Sequence, residues 1–322
     1  MIPAPQQHVV SIGLSAAIVS VTDEMPSVLV VHHEGEPDAL PFGPFDPLEH
    51  RTLESGLRSW VKEQAGLDLV YTEQLYTFGD RGRHLLKAGE GPRVVSVGYL
   101  ALARASGSDR APAVLWRNWY HYFPWEDWRS GRPAIIDEVI FVALRAFAAI
   151  PDSKAERLKR QERARLAFGL DNSAWDEERV LERYELLYEA GLVEEAIRDG
   201  RMSRSQCLAK LGTPMLFDHR RILATAISRL RGKMKYRPVV FELLPPTFTL
   251  LELQRTVEAI SGIRLHKQNF RRLVAEQGLV EGTGKFTRIT RGRPAELFGF
   301  RREVLSERQA PGVRLGLRRS GI

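Results

Sequence analysis

Along the first 150 residues, apolar positions fall mostly in short runs rather than at helical spacing. Residues 9–21 and 28–32 are two Val- and Leu-rich stretches on either side of the turn-like Asp23-Glu24-Met25-Pro26-Ser27, and residues 94–103 form a third. All three read as buried strands, and residues 135–149 as a further strand that turns helical. Residues 52–65 change the period: Leu53, Leu57, Trp60 and Val61 stand at i, i+4, i+7 and i+8, one face of a helix, and Gly66 supplies its stop.

Pro151 marks a boundary. Beyond it, residues 154–167, 174–190 and 193–198 read as charged helices joined by glycine-containing breaks, a helical connector over 151–212. A long basic helix is expected at 217–235, then a strand-like 238–243 stopped by Pro245-Pro246. Thr249-Leu250-Leu251-Glu252 is a capping box, opening a helix that turns Leu250, Leu253, Val257 and Ile260 inward. Ser261-Gly262-Ile263 makes a short turn, and a second helix from about Leu265 to before Gly278 buries Phe270, Leu273 and Val274. Two short helices across a glycine turn are a helix-turn-helix signature. Residues 286–290 and 297–300, on either side of Arg291-Gly292-Arg293-Pro294, then read as the hairpin wing of a winged helix. The division expected is an effector-binding domain at 1–150, the connector at 151–212, a DNA-binding domain at 213–303 and a mobile basic tail at 304–322.

Charge sharpens this division. Residues 1–200 hold 22 Lys and Arg against 31 Asp and Glu, whereas residues 201–322 hold 25 against 9. A carboxyl-terminal unit with a surplus of sixteen positive charges points to a polyanion. On the outer face of the second helix stand Lys267, Gln268, Asn269, Arg271 and Arg272. Asn and Gln match adenine edges, Arg matches guanine, and Lys meets phosphates. Arg291 and Arg293 at the wing tip suit a narrow minor groove. No run reaches the roughly 20 apolar residues of a membrane span, and no Lys or Arg precedes the run at 9–21 as an export signal requires. One cysteine, Cys207, excludes an internal disulfide, and a cytoplasmic location is expected.

The helix at 52–65 resembles a Nudix box, Gly-x5-Glu-x7-Arg-Glu-U-x-Glu-Glu-x-Gly-U, where U is a bulky apolar residue. Counting back from Gly66 and Leu67, the box's Arg and first Glu fall on Ser59 and Trp60, and its last two acids on Glu63 and Gln64. Its opening glycine falls on Phe45, with Gly43 two residues earlier. Three glutamates at i, i+3 and i+4 gather oxygen ligands around magnesium at a pyrophosphate. Trp60, Glu63 and Gln64 offer one carboxylate, so hydrolysis is not expected and no cofactor is called for.

Together with this box, Gln74-Leu75-Tyr76-Thr77-Phe78-Gly79-Asp80, Val94-Val95-Ser96-Val97-Gly98-Tyr99-Leu100, Phe241-Glu242-Leu243-Leu244-Pro245, Asn269-Phe270-Arg271-Arg272 and Gly292-Arg293-Pro294-Ala295 resemble the Nudix-related transcriptional regulators of NAD metabolism. Within that family the likeness points to a branch that represses NAD biosynthesis genes. It implies an α+β chain: an N-terminal Nudix-like α/β/α sandwich, the helical connector and a C-terminal winged helix-turn-helix. It also implies a homodimer on a palindromic operator in double-stranded DNA, answering to an NAD-related nucleotide such as ATP, NAD or ADP-ribose. For that effector, Arg81 and Arg83 are candidates for the phosphates, Phe78 and Tyr99 for stacking on a base, and Glu63 for a ribose hydroxyl. The cluster Trp116, Trp119, Trp125 and Trp128 is either an adenine-stacking surface or domain packing, and packing is the better account. Two other functions stay open: an active Nudix hydrolase with an accessory nucleic-acid domain, and an RNA-binding or chromosome-architectural protein without sequence preference.

Overall fold

The computed structural model describes residues 10–69, 71–80, 93–104, 113–201, 211–287, 294–307 and 312–313. The first two apolar runs form β1 (Val10–Thr22) and β2 (Met25–Val31). Their turn holds Asp23 and Glu24 in the left-handed conformation, at φ 51° and 63°. Two such residues in succession match the twist of a hairpin. Strands β3 (Phe42–Pro44), β4 (Tyr71–Phe78), β5 (Arg93–Leu102) and β6 (Val114–Asn118) complete a six-stranded sheet. Its order is β4-β5-β1-β2-β6, with β3 alongside β1; β1 and β5 run parallel and the other pairs antiparallel.

Alternation along these strands sorts the core into two layers. Leu14, Ala16, Ile18, Leu29, Val97, Tyr99 and Ala101 face one side, against Leu57, Val61 and Ala65 of helix α1 (Leu53–Ala65). Ala17, Val19, Val28, Val30, Leu100 and Leu102 face the other, against Ile222, Leu223, Ile227 and Leu230 of the long helix α6 (His219–Met234). The sheet is thus sandwiched between α1 and α6. Helix α6 comes from the stretch that sequence assigns to the carboxyl-terminal unit. Between these helices in sequence, α2 (Phe141–Ala149), α3 (Lys154–Phe168), α4 (Val180–Glu189) and α5 (Glu194–Arg198) form a helical body, with α3 on α2 and α4 on α6.

Three expectations are corrected. Residues 135–149 are helical throughout, a single wide turn at Ile136–Ile140 running into α2. A strand there would leave its backbone unpaired outside the sheet, whereas a helix satisfies it internally. Residues Val239–Leu243 form a 3-10 helix rather than a strand, and the helix expected at 174–190 begins only at Val180. Strands β3, β4 and β6 lie outside the apolar runs that the sequence marks as strands.

The carboxyl-terminal part is built from β7 (Thr247–Phe248), α7 (Leu250–Ser261), α8 (Lys267–Gln277), β8 (Val280–Phe286), β9 (Glu296–Phe300) and α9 (Val304–Glu307). Strands β7, β9 and β8 form a second, three-stranded sheet. The wing's first strand starts earlier than the 286–290 expected. Among the described residues no helix is long and apolar enough to cross a membrane.

The two parts meet along a buried ionic seam. Glu126, following β6, accepts from Arg183 of α4 (Nε to Oε1, 2.5 Å; Nη2 to Oε2, 2.9 Å) and from Arg231 of α6 (Nη1 to Oε2, 2.6 Å). All three side chains are fully buried. Trp119 and Trp125 are buried beside them, so these two tryptophans pack rather than present a stacking surface. The seam reaches the end of α7 through its carbonyls. Tyr120 Oη donates to Ala259 (2.7 Å), Arg231 Nε to Ile260 (2.8 Å) and the Trp128 N–H to Gly262 (2.7 Å). Gly262 is left-handed at φ 77°, and a Cβ there would fall 2.3 Å from the Glu126 carbonyl oxygen. Only glycine fits that approach.

Candidate functional site

The helix-turn-helix begins at Thr249, whose Oγ1 accepts the Glu252 N–H (3.1 Å) while Glu252 Oε2 accepts the Thr249 N–H (2.6 Å). This reciprocal cap satisfies two amides that the first turn leaves free. Leu253, Val257 and Ile260 are fully buried, and Phe270 and Val274 of α8 are packed into the same core. The inner face of α8 is thereby fixed, and its outer face carries Lys267, Gln268, Asn269, Arg271 and Arg272, every one exposed. Arg272 meets Glu276 at 3.8 Å, with both side chains more than two-thirds exposed. Among the described residues, Asn269 and Arg271 make no side-chain hydrogen bond. A helix held by two apolar residues, with a free row of amide and guanidinium groups outside, has the form of a major-groove reader.

The turn into α8 is organised by Glu258, which is 1% exposed. Its Oε1 accepts from Gln254 Nε2 (2.8 Å) and the Leu265 N–H (2.9 Å), and its Oε2 from Arg255 Nη1 (3.0 Å) and Arg264 Nη1 (2.8 Å). Burial opposes its charge, but these four donors outweigh it and hold the carboxyl below its ordinary range. The sequence singled out neither Glu258 nor Arg264. In the wing, the Thr287 N–H donates to the Ala295 carbonyl (2.8 Å) and the Ala295 N–H to Thr287 Oγ1 (3.0 Å). Arg291 and Arg293 lie outside the described residues.

On the sheet, α1 is opened by its own reciprocal cap between Thr52 and Ser55 and closed by left-handed Gly66. Two of the three positions aligned with box glutamates are engaged with the backbone of β3. Trp60 Nε1 donates to the Pro44 carbonyl (2.8 Å), Gln64 Nε2 donates to the Phe42 carbonyl (2.7 Å), and Gln64 Oε1 accepts the Phe42 N–H (3.2 Å). The indole lies so close to Gly43 that a Cβ there would come within 2.2 Å of the ring. Glu63 alone is exposed, and this face does not fit a magnesium site. Nearby, Glu54 Oε1 accepts from Thr72 Oγ1 (2.7 Å) and Arg58 Nη2 (2.8 Å). The Thr72 hydroxyl and then Arg58 hold the Glu54 carboxyl below its usual range.

The nucleotide candidates are divided by the sheet. Tyr99 is on the α1 side with its hydroxyl 3.4 Å from Gln74 Oε1, and burial raises its phenol. Phe78 is on the other side, 1% exposed, between the sheet and α6. A base stacked on Phe78 would have to displace α6, so Phe78 packs in the core and does not share a face with Tyr99. Arg81 and Arg83 lie outside the described residues. Asp80, just before them, pairs with Arg221 of α6.

Residues 240–300 match the family described as the NrtR DNA-binding winged helix domain. The crystal structure of Shewanella oneidensis NrtR complexed with a 27mer DNA superposes with a TM-score of 0.51 at 22% identity, covering 92% of this chain and 95% of that one. Residues 240–300 thus carry a winged helix of the NrtR type. The NrtR match begins just after α6, so the family's DNA-binding unit comprises the 3-10 helix, both helices of the helix-turn-helix and the wing. A MutT/nudix family protein from Enterococcus faecalis also superposes, with a TM-score of 0.50, 18% identity, and coverage of 92% of this chain and 89% of that one. In sequence, an ADPR responsive transcriptional repressor of Acinetobacter baylyi is 43% identical over 86 residues. That stretch is 27% of this chain, and it spans about a third of the relative's length (34%).

Proposed function

We propose that the chain is a cytoplasmic transcriptional repressor of NAD biosynthesis genes that reads a palindromic operator as a homodimer and senses an NAD-related nucleotide. The observation that carries this reading is the free outer face of α8, where Lys267, Gln268, Asn269, Arg271 and Arg272 are exposed within an NrtR-type winged helix. Arg291 and Arg293 add wing contacts. One α8 reads one half-site, and two copies a helical turn apart read a palindrome.

The sensing domain binds its nucleotide without cleaving it, because Trp60 and Gln64 bond the β3 backbone where a hydrolase needs carboxylates. ADP-ribose stands first among ADP-ribose, NAD and ATP, by likeness to the Acinetobacter repressor's printed name. Glu63, exposed on α1, is the candidate for a ribose hydroxyl, with Arg81 and Arg83 for the phosphates, while Tyr99, 4% exposed, packs in the α1-side core. A gel shift on the chain's own upstream region and on NAD-biosynthesis promoters tests this, run with and without each nucleotide. The expected result is a sequence-selective complex whose affinity changes with one of them. Equal affinity for all duplexes would favour an architectural protein, and AMP release from ADP-ribose with magnesium would restore the hydrolase.

A further inference from the structure

Four charged side chains meet where the sheet domain touches the helix-turn-helix. Glu258 pairs with the guanidiniums of both Arg255 and Arg264, and its single charge balances only one of them. Glu24, in the β1–β2 turn, supplies the balance, 3.2 Å from Arg255 Nε and 3.9 Å from Arg264 Nη1. The turn is held in that direction. Its two central residues are left-handed, and Arg129, itself paired with Asp127, donates from Nη1 to the Glu24 carbonyl (2.6 Å). Glu24 and Arg264 are each about half exposed, at 49% and 47%, so the pair is open to solvent and exchangeable.

A recognition helix meets base edges with its first residues, so the chain leading into it crosses the phosphate rim of the groove. Arg264 stands there, three residues before Lys267. We propose that Arg264, backed by Arg255, contacts a DNA phosphate, and that Glu24 neutralises this pair in the free protein. Phosphate and the Glu24 carboxylate are then alternative partners for one guanidinium, and the β1–β2 turn is a brake that the sheet domain applies to DNA binding. This inference rests on the DNA-binding reading above.

The test uses the full chain and a labelled mixed-sequence duplex, because a phosphate contact needs no operator. Affinity is followed from about 50 to about 200 mM salt for wild type, Glu24→Gln, Arg264→Ala and the double variant. Glu24→Gln should tighten binding about threefold at the low-salt end, because Arg264 no longer leaves a carboxylate to reach the phosphate. Arg264→Ala should flatten the log–log salt slope by about 0.9, the value of one phosphate contact. The double variant should show no tightening over Arg264→Ala. Melting of each variant guards against misfolding, and Glu24→Gln, in an exposed turn, decides alone if Arg264→Ala unfolds. Unchanged or weaker binding by Glu24→Gln overturns the inference, as does a gain that survives in the double variant. If wild type binds no duplex at all, the DNA-binding reading falls as well.

Discussion

Helices α1 and α8 are of similar length and each is anchored by an apolar inner face, yet their polar side chains are used in opposite ways. On α1, Trp60 and Gln64 bond the backbone of β3, and Arg58 and Glu54 bond each other and Thr72. On α8 the outward row has almost no partner among the described residues. A polar group bonded within the fold contributes to stability, whereas one left facing water is available to a ligand. The difference matches the proposed recognition role of α8 and a mainly structural one for α1, and it predicts what each substitution will change.

The largest effect belongs to the innermost charges. Glu126→Gln leaves Arg183 and Arg231 buried without a countercharge and should cost about 3–5 kcal/mol of unfolding free energy. Urea melts measure it directly, and a loss below about 1 kcal/mol would mean that water reaches the seam. Next comes α1. Trp60→Ala removes an indole wedged on Gly43 together with its bond to Pro44, for about 3 kcal/mol. Per folded molecule, DNA affinity should not change. Were Trp60→Ala to leave stability intact and alter DNA binding instead, the contrast between the helices would be broken.

The sequence made some of this legible and hid the rest for a physical reason. The cap at Thr249, the stops at Gly66 and Gly262, and the inward residues of α7 are set by contacts within about four residues, which a linear pattern records. The free face of α8 could be read off because exposure follows from helical period once Phe270 and Val274 are taken as core. The seam could not. Arg231 and Glu126 are 105 positions apart, and an Arg inside an otherwise basic helix looks like any solvated charge. The side of the sheet on which Phe78 lies was hidden for a related reason. Phe78 and Tyr99 sit on different strands and face opposite sides of the sheet, a relation fixed by register and not by either residue's neighbours.

On α8 the expected pattern is inverted. Asn269→Ala and Arg271→Ala should change stability by no more than about 0.5 kcal/mol. Each should weaken operator binding by about 1–3 kcal/mol and relax preference at one base pair. Lys267→Ala should weaken all duplexes alike and flatten the salt dependence. A melting shift as large as that of Trp60→Ala would show that α8 has partners of its own.

The smallest expected effect lies between the two regimes, at Glu258, which is buried like Glu126 but serves the recognition helix. Its hydrogen bonds from Gln254, Leu265, Arg264 and Arg255 outweigh burial and hold its carboxyl below the ordinary range. In the unfolded chain it titrates near the ordinary glutamate value of about 4.3. The folded state therefore binds the proton less readily than the unfolded state does. The contribution is complete above that unfolded value and is lost as pH falls through the lowered folded one. Stability measured by urea melts should decline over this acid range, and Glu258→Gln should decline less, having no proton to take up at that position. DNA binding should follow the same difference, because protonation releases the Leu265 amide and Arg264 from the turn that aims α8. If wild type and Glu258→Gln lost stability in parallel with acid, the carboxylate would not be what holds the turn, and α8 would owe its orientation to Phe270 and Val274 alone.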